Sequence, residues 1–491
     1  MKRFFPHLFF AVIFAMLFAG NADAQTCLVV SPSGSGSHTG ADWNNALTGL
    51  PSTLVRGTVY YLADGNYGQY HFSSASGTGW VEVRKAQSYD NCTSTGWNTS
   101  TMGSSQAIFT RSNSATALSI TIDQVIINGN GQPSVSASMP GGAGCGGGPS
   151  DATNVAAGPV TPSDCGIRAI SQCTSTSNNS CDAIINMSGS ADNVKLLYME
   201  WFGNGNPNSE QYPVRMQVAN DNSATRLIEH VYQHSFGANI IYTFGHRQVD
   251  HSYFWGNQIL PSTGNHGQYS YDGYLSPIVG LTEFNNVYRD IQGTAVWGIE
   301  DGPQVASDIY LYNNFIISTS PRESWMTLGI NNGTLSCLNG STCSNVYYVN
   351  NTHVNTWGAR IVPSYQDSGT TTSNFNIQNN LWYNMINSGG PITKPNGTES
   401  NNSFLNSGTG ICFSGSSDVC TQTSANPFTN SANFDYTLAS DAADWNNRMT
   451  LGSPYNMDAA GDAFTSDRGA YQFGTTTTQV NPPTGLTAVV N

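Results

Sequence analysis

Five of the nine histidines, His230, His234, His246, His251 and His266, fall between positions 230 and 266. Imidazole is the side chain that changes charge near neutral pH, so a local concentration of it points to proton transfer. Arg215, Arg226 and Arg247 share the stretch, and His230 and His251 each follow an acidic residue, Glu229 and Asp250. The segment Gly264 to Pro277 (GNHGQYSYDGYLSP) then reads as a long polar, aromatic loop with His266, Tyr269, Tyr271 and Asp272. Beyond it come Glu283, Arg289, Trp297, the pair Glu300 and Asp301 in WGIEDGP, and Arg322, Glu323 and Trp325 in SPRESW. Loops of this kind on a rigid scaffold are where binding residues are usually carried. Two chemistries suit the set. Elimination from a uronic acid needs a cation beside the carboxylate, Arg289 or Arg322, and a base for the adjacent proton, His266, Tyr271 or His251. Hydrolysis needs two carboxyl groups flanking the bond, one of them protonated, and Asp272, Glu300 and Asp301 are the candidates. His251, Tyr269, Trp297 and Trp325 are the expected substrate contacts. The structural alternative is solvated loop charges in local ion pairs, with His230 and His251 as scaffold.

What must position these residues is a repeat. The phrase apolar-x-apolar-x-Asn-Asn-apolar stands at Ile309 to Phe315 (IYLYNNF) and Phe375 to Leu381 (FNIQNNL), with Thr352 closing the copy at Val346 to Thr352 (VYYVNNT) and a looser copy at Leu281 to Val287 (LTEFNNV). Alternation gives a strand with one buried face, and paired Asn suits a tight turn because Asn tolerates left-handed backbone angles. The first Asn of each pair falls at 285, 313, 350 and 379. Steps of that size mean stacked units, each burying its face on the next. The expected ladder of stacked amides runs through Asn313, Asn350 and Asn379. Earlier units place Glu200, Glu229 and Asp250 at the turn, with the register open by one residue.

Lys2 and Arg3, the apolar run Leu8 to Phe18 and the small-residue site Ala22-Asp23-Ala24 predict a signal peptide over residues 1–24. No later segment is long and apolar enough to span a bilayer, so the expected location is extracellular or at the cell surface. Ten cysteines in an exported chain favour disulfides. The expected pairs are Cys27 with Cys92, Cys145 with Cys165, Cys173 with Cys181, Cys337 with Cys343 and Cys412 with Cys420, though sequence does not prove connectivity. No zinc-type spacing is present, and no metal ligand is assigned. A net charge of −14 speaks against nucleic acid and anionic membranes as partners. The expected partner is a polysaccharide. No cofactor is required, with Ca²⁺ the one left open as a bridge to an acidic polymer, and the oligomeric state is open.

Residues 25–474 are expected to form one all-β, right-handed parallel β-helix with an N-terminal capping helix around Ala41 to Leu47 and long loop insertions. The longest insertion is the Gly-, Ser- and Cys-rich stretch from Pro133 to Cys181. In GTVYYLADGNYGQYHF, Val59 to Leu62 and Tyr70 to Phe72 read as strands, followed by Trp80 to Val83. Residues 475–491 are a Thr- and Pro-rich tail. The chain resembles the secreted β-helix proteins of the pectate-lyase-like superfold. GTVYYLADGNYG followed by WVEVRKA is similar to the first coil of the alginate and chondroitin lyase family, and GSPYNMDAAGDAFTSDRGAYQFG resembles the closing segment of many secreted bacterial β-helix proteins. That resemblance implies a polysaccharide lyase or glycoside hydrolase with a lateral groove. One departure stands against the lyase. The family uses a Lys and Arg pair from successive coils, whereas Lys85, Lys195 and Lys394 are the lysines beyond residue 24, and none sits in the histidine-rich stretch. The competing class is a non-catalytic surface or adhesion protein using the helix as a rigid rod.

Overall fold

The computed structural model describes residues 26–473 apart from 113–115, 132–164, 174–182, 204–212, 219–225, 235–240, 244–245, 256–268, 273–276, 290, 292–294, 300–304, 319–332, 338–339, 341, 357–370, 386–396, 408–411, 413–416, 422–423, 432–434, 441, 443 and 460. The repeats contribute strands to three long parallel sheets, of 13, 12 and 8 strands among the described residues. Successive strands of the 13-stranded sheet, such as Ile278–Phe284, Val305–Tyr312, Thr342–Val349 and Thr371–Gln378, pair in parallel and in register. That is a parallel β-helix. The expected strands at its start are present as Thr58–Leu62, Tyr70–Phe72 and Val81–Lys85, the last already opening the next coil. The expected helical cap at the start of the stack is present as a single 3₁₀ turn, Trp43–Asn45. Trp43 rather than helix length does the capping, buried in a cluster with Val29, Val59, Tyr61 and Ala86 and packed against Trp97.

Alternation along each strand sends every second side chain inward, so the core is a set of rows along the axis. Leu281, Ile309, Val346 and Phe375 form one, and Leu311, Tyr348 and Ile377 belong to another. The second row also contains Glu283, and Arg247 lies level with Leu281 in the first. Both are fully buried. The two Arg247 nitrogens donate to Glu283 Oε1 at 2.8 and 3.0 Å, while the Tyr288 hydroxyl (2.6 Å) and the Trp297 indole N–H (2.7 Å) donate to Oε2.

From the strand Arg226–Glu229 to Gly397–Ser400, each strand of the 13-stranded sheet is followed by a corner of two residues. The first has a left-handed backbone, with φ of 52° at His230, 46° at His251, 56° at Asn285, 55° at Asn313 and Asn350, and 57° at Asn379 and Asn401. The second carries the hydrogen-bonded column. Asn286, Asn314, Asn351, Asn380 and Asn402 each donate an amide N–H to the next side-chain oxygen at 3.0 to 3.3 Å, ending on Asp418. Each also caps a backbone carbonyl of the neighbouring coil, as Asn351 does with Leu311 at 2.9 Å. Of the ladder expected through the first Asn of each pair, the link from Asn350 Nδ2 to Asn313 Oδ1 is present at 3.2 Å, while the continuous column runs through the second Asn. Glu229 and Asp250 precede the corner, whereas Glu200 follows the corner residue Tyr198 and lies within the next strand, Met199–Phe202. We expect Asn351→Ala to destabilise by about 1–3 kcal/mol through the groups it leaves unpaired. Exposed Asn456→Ala should change stability by no more than about 0.5 kcal/mol in the same urea titration.

The C-terminal segment doubles back over the later coils. Met457, Tyr455, Met449 and Asn447 offer backbone carbonyls to the corner amides of Asn313, Asn350, Asn379 and Asn401 at 2.8 to 3.0 Å. Tyr436, Leu438, Trp445, Ala470 and Tyr471 bury the outer face of the 12-stranded sheet over Phe315, Leu381 and Leu405. Disulfides join Cys27 to Cys92 and Cys412 to Cys420, each with Cα atoms 6.0 Å apart. Cys165, Cys173 and Cys343 are also disulfide-bonded. Cys145 and Cys181 lie outside the described residues, as does the side chain of Cys337. Among the described residues no helix is long and apolar enough to cross a membrane. Residues 1–25 and the tail from 474 are outside the description.

Candidate functional site

The row of left-handed corner residues changes character along its length. Where the C-terminal segment lies on it, from Asn313 to Asn401, it is asparagine, which after glycine is the residue most at ease with that backbone. In the preceding coils it reads Tyr198, His230, His251 and then Asn285. Tyrosine gains nothing there from local backbone geometry, and histidine tolerates it less readily than asparagine. These rings stack along the axis, Tyr198 on His230 at 4.8 Å between centroids and His230 on His251 at 5.1 Å.

The residue before each corner points outward on the 13-stranded sheet, next to these rings. Leu197, Glu229, Asp250 and Phe284 occupy that place in successive strands. Two carboxyl groups thus sit on adjacent strands, about 4.8 Å apart along the sheet. Asp250 Oδ1 holds His251 Nδ1 at 2.9 Å, which fixes the imidazole with its other nitrogen outward, 3.0 Å from the Asn285 side-chain amide. Glu229 Oε1 is 3.9 Å from His230 Nε2. Burial raises the Glu229 carboxyl to about 7, the charge of Asp250 adds to the rise, and His251 and Lys195 oppose it. The Tyr198 hydroxyl is pushed well above the usual phenol range by burial and by the charges of Glu229 and Asp250. Lys195 lies on the strand Val194–Leu197, adjacent to Arg226–Glu229, with its ammonium 5.0 Å from the Trp80 ring. Lys195 is therefore one coil from His230, although sequence distance separates it from the histidine cluster.

Three expected site residues are corrected. Arg289, Tyr269 and Trp297 were expected at an open groove but are fully buried. Arg289 lies beneath the surface with its guanidinium 4.5 Å from the Trp255 ring and donating to the Tyr253 hydroxyl at 3.1 Å. Tyr269 and Trp297 pack in the aromatic core around Phe254 and Tyr288. Tyr269 and Trp297 belong to the interior cluster, whereas Arg289 stands in the row of Trp255 and Ile317 on the outer face of the 12-stranded sheet and is buried by what packs on that face. Ser270–Asp272, expected to be part of a loop, is a strand between Ile241–Thr243 and Ala295–Ile299. The side chains of Tyr271 and Asp272 lie outside the described residues, as do His266, Glu300, Asp301, Arg322 and Trp325. Of the expected contacts, the structure places His251 on the partly exposed corner and brings Lys195, Tyr198, Glu229, His230 and Asp250 together with it.

No family model matches the chain, and no curated protein matches it. Solved structures similar to it include that of the PL6 family alginate lyase AlyGC, with 11% identity, a TM-score of 0.39, and coverage of 93% of this chain and 57% of that one. A second is a mannuronic acid specific polysaccharide family 6 lyase from human gut microbiota, with 12% identity, a TM-score of 0.36, and coverage of 81% and 82%. The chain thus spans 57% of the length of the first of these.

Proposed function

We propose that this chain is an extracellular protein that cleaves a uronic-acid polysaccharide by elimination on the outward face of the 13-stranded sheet. The observation that supports it most is the replacement of corner asparagines by Tyr198, His230 and His251 beside Lys195, Glu229 and Asp250. Elimination needs a cation beside the carboxylate, a base for the adjacent proton and an acid for the leaving oxygen. Lys195 is the amine on this face, and Tyr198, whose hydroxyl stays protonated, is the donor. The Glu229, His230 and His251 corner borders the same sugar.

The fold supplies its own conservative probe. Asparagine already occupies the left-handed corner in later coils, so His230→Asn and Tyr198→Asn suit the backbone. We expect each, and Lys195→Met, to lower turnover on a uronate polymer by about 10²-fold or more while leaving the melting temperature nearly unchanged. Exposed His71→Ala should change neither. The measurement is ultraviolet absorbance of the unsaturated product over a panel of polysaccharides. New reducing ends without unsaturation would replace elimination by hydrolysis, and binding with neither product would favour the adhesive rod.

A further inference from the structure

We propose that Glu229, His230 and His251 form a binding site for a divalent transition metal of the zinc and cobalt class. One ligand atom from each of the three lies within 4.8 Å of the others, and all three are partly exposed, so an ion can enter from solvent. The two imidazoles stack from adjacent coils, which points both rings toward the same side of the corner. Asp250 Oδ1, at 2.9 Å from His251 Nδ1, plays the part of the outer carboxylate that orients a ligating histidine and leaves Nε2 as the donor.

A fourth group faces the same point. Asn285 is only 9% exposed, its Nδ2 lies 3.0 Å from His251 Nε2, and its Oδ1 is buried and accepts no hydrogen bond. Turning that amide by half a revolution brings an oxygen to the position now held by nitrogen, which completes a donor set of two nitrogens and two oxygens. Two imidazoles select a borderline ion, because calcium takes oxygen ligands only. The site is part of the face proposed above. Its role toward the polymer rests on that proposal, since an ion here would attract a sugar carboxylate to a corner that otherwise carries two carboxyl groups. Binding of the ion does not depend on it.

The test uses the full chain, stripped with chelator and dialysed separately against Zn²⁺, Co²⁺ and Ca²⁺, with bound metal measured by elemental analysis and cobalt coordination by visible absorption. We expect one Zn²⁺ or Co²⁺ per chain and nitrogen-ligated cobalt bands. His230→Asn and His251→Asn, both suited to the corner, should weaken binding by about tenfold or more, and Asp250→Asn by a smaller factor. Circular dichroism and thermal melts matching wild type would establish that the variants fold. Absence of stoichiometric metal in the wild type, undiminished binding in both folded histidine variants, or a preference for Ca²⁺ would overturn the site. Metal binding without any cleavage of a polymer would leave the site standing and remove the lyase instead.

Discussion

Glu283→Ala is expected to destabilise the protein by about 3–5 kcal/mol, because it takes a fully buried carboxylate away from the fully buried guanidinium of Arg247. The cost has several parts that a denaturant titration separates. Glu283 accepts from two Arg247 nitrogens, the Tyr288 hydroxyl and the Trp297 indole, so the change removes these four hydrogen bonds and one buried carboxylate from beside the guanidinium. Replacing both partners with apolar residues of similar size, Arg247→Met with Glu283→Leu, should recover most of the loss. Their row neighbours, Leu281 and Leu311, are already apolar. If the double variant is no more stable than Glu283→Ala alone, the charge account is wrong and the defect is one of packing. The two residues face each other across adjacent coils, so their effects should be strongly non-additive.

His353 is expected to make the protein sensitive to acid well above the range in which most carboxylates titrate. It sits fully buried in an inward row between Ile316 and Trp382, stacked on Trp382 at 5.3 Å, with Nε2 hydrogen-bonded to the Tyr348 hydroxyl. Burial depresses its pKa from 6.5 to about 3. Between those values the unfolded chain binds a proton that the folded chain refuses, so stability falls as pH is lowered from about 6.5 toward about 3. The full loss is on the order of a few kcal/mol. His353→Phe should be less stable than wild type at pH 7, through the lost bond to Tyr348, and should show a visibly shallower decline on acidification. Equal slopes for the two proteins between pH 7 and 4 would show that His353 does not govern the acid limb.

The parallel stack was legible because it rests on local patterns. Alternation in IYLYNNF sets the strand, the Asn pair sets the corner, and the spacing of copies sets the coil. What the sequence leaves undetermined is which Asn of the pair faces inward, since a register shift of one residue exchanges corner and column. The same shift governs the site. RLIE and RQVD carry Ile228 and Val249 inward, which by alternation also takes Arg226 and Arg247 inward and leaves Glu229 and Asp250 outward. That much was available from period two alone. Polar and aromatic residues near a presumed loop need not be exposed: the interior of a coil accepts the rings of Tyr269 and Trp297, and the covered outer face of the 12-stranded sheet accepts the hydrogen-bonded guanidinium of Arg289. Lys195 was missed for another reason. Its neighbour in space, Leu227, is 32 positions away in sequence, and only the coil length, made irregular by insertions, would have brought them together.

A one-dimensional stack ordinarily frays from its ends, because a terminal unit has only one neighbour to lose. Here the last residues do not end at the last coil. Asn447, Met449, Tyr455 and Met457 are bonded to Asn401, Asn379, Asn350 and Asn313 in that order, so the segment runs back along the axis across four coils. Peeling off the final coil therefore means breaking contacts three coils upstream as well. The coils from Asn313 to Asn401 are expected to open as a block rather than turn by turn.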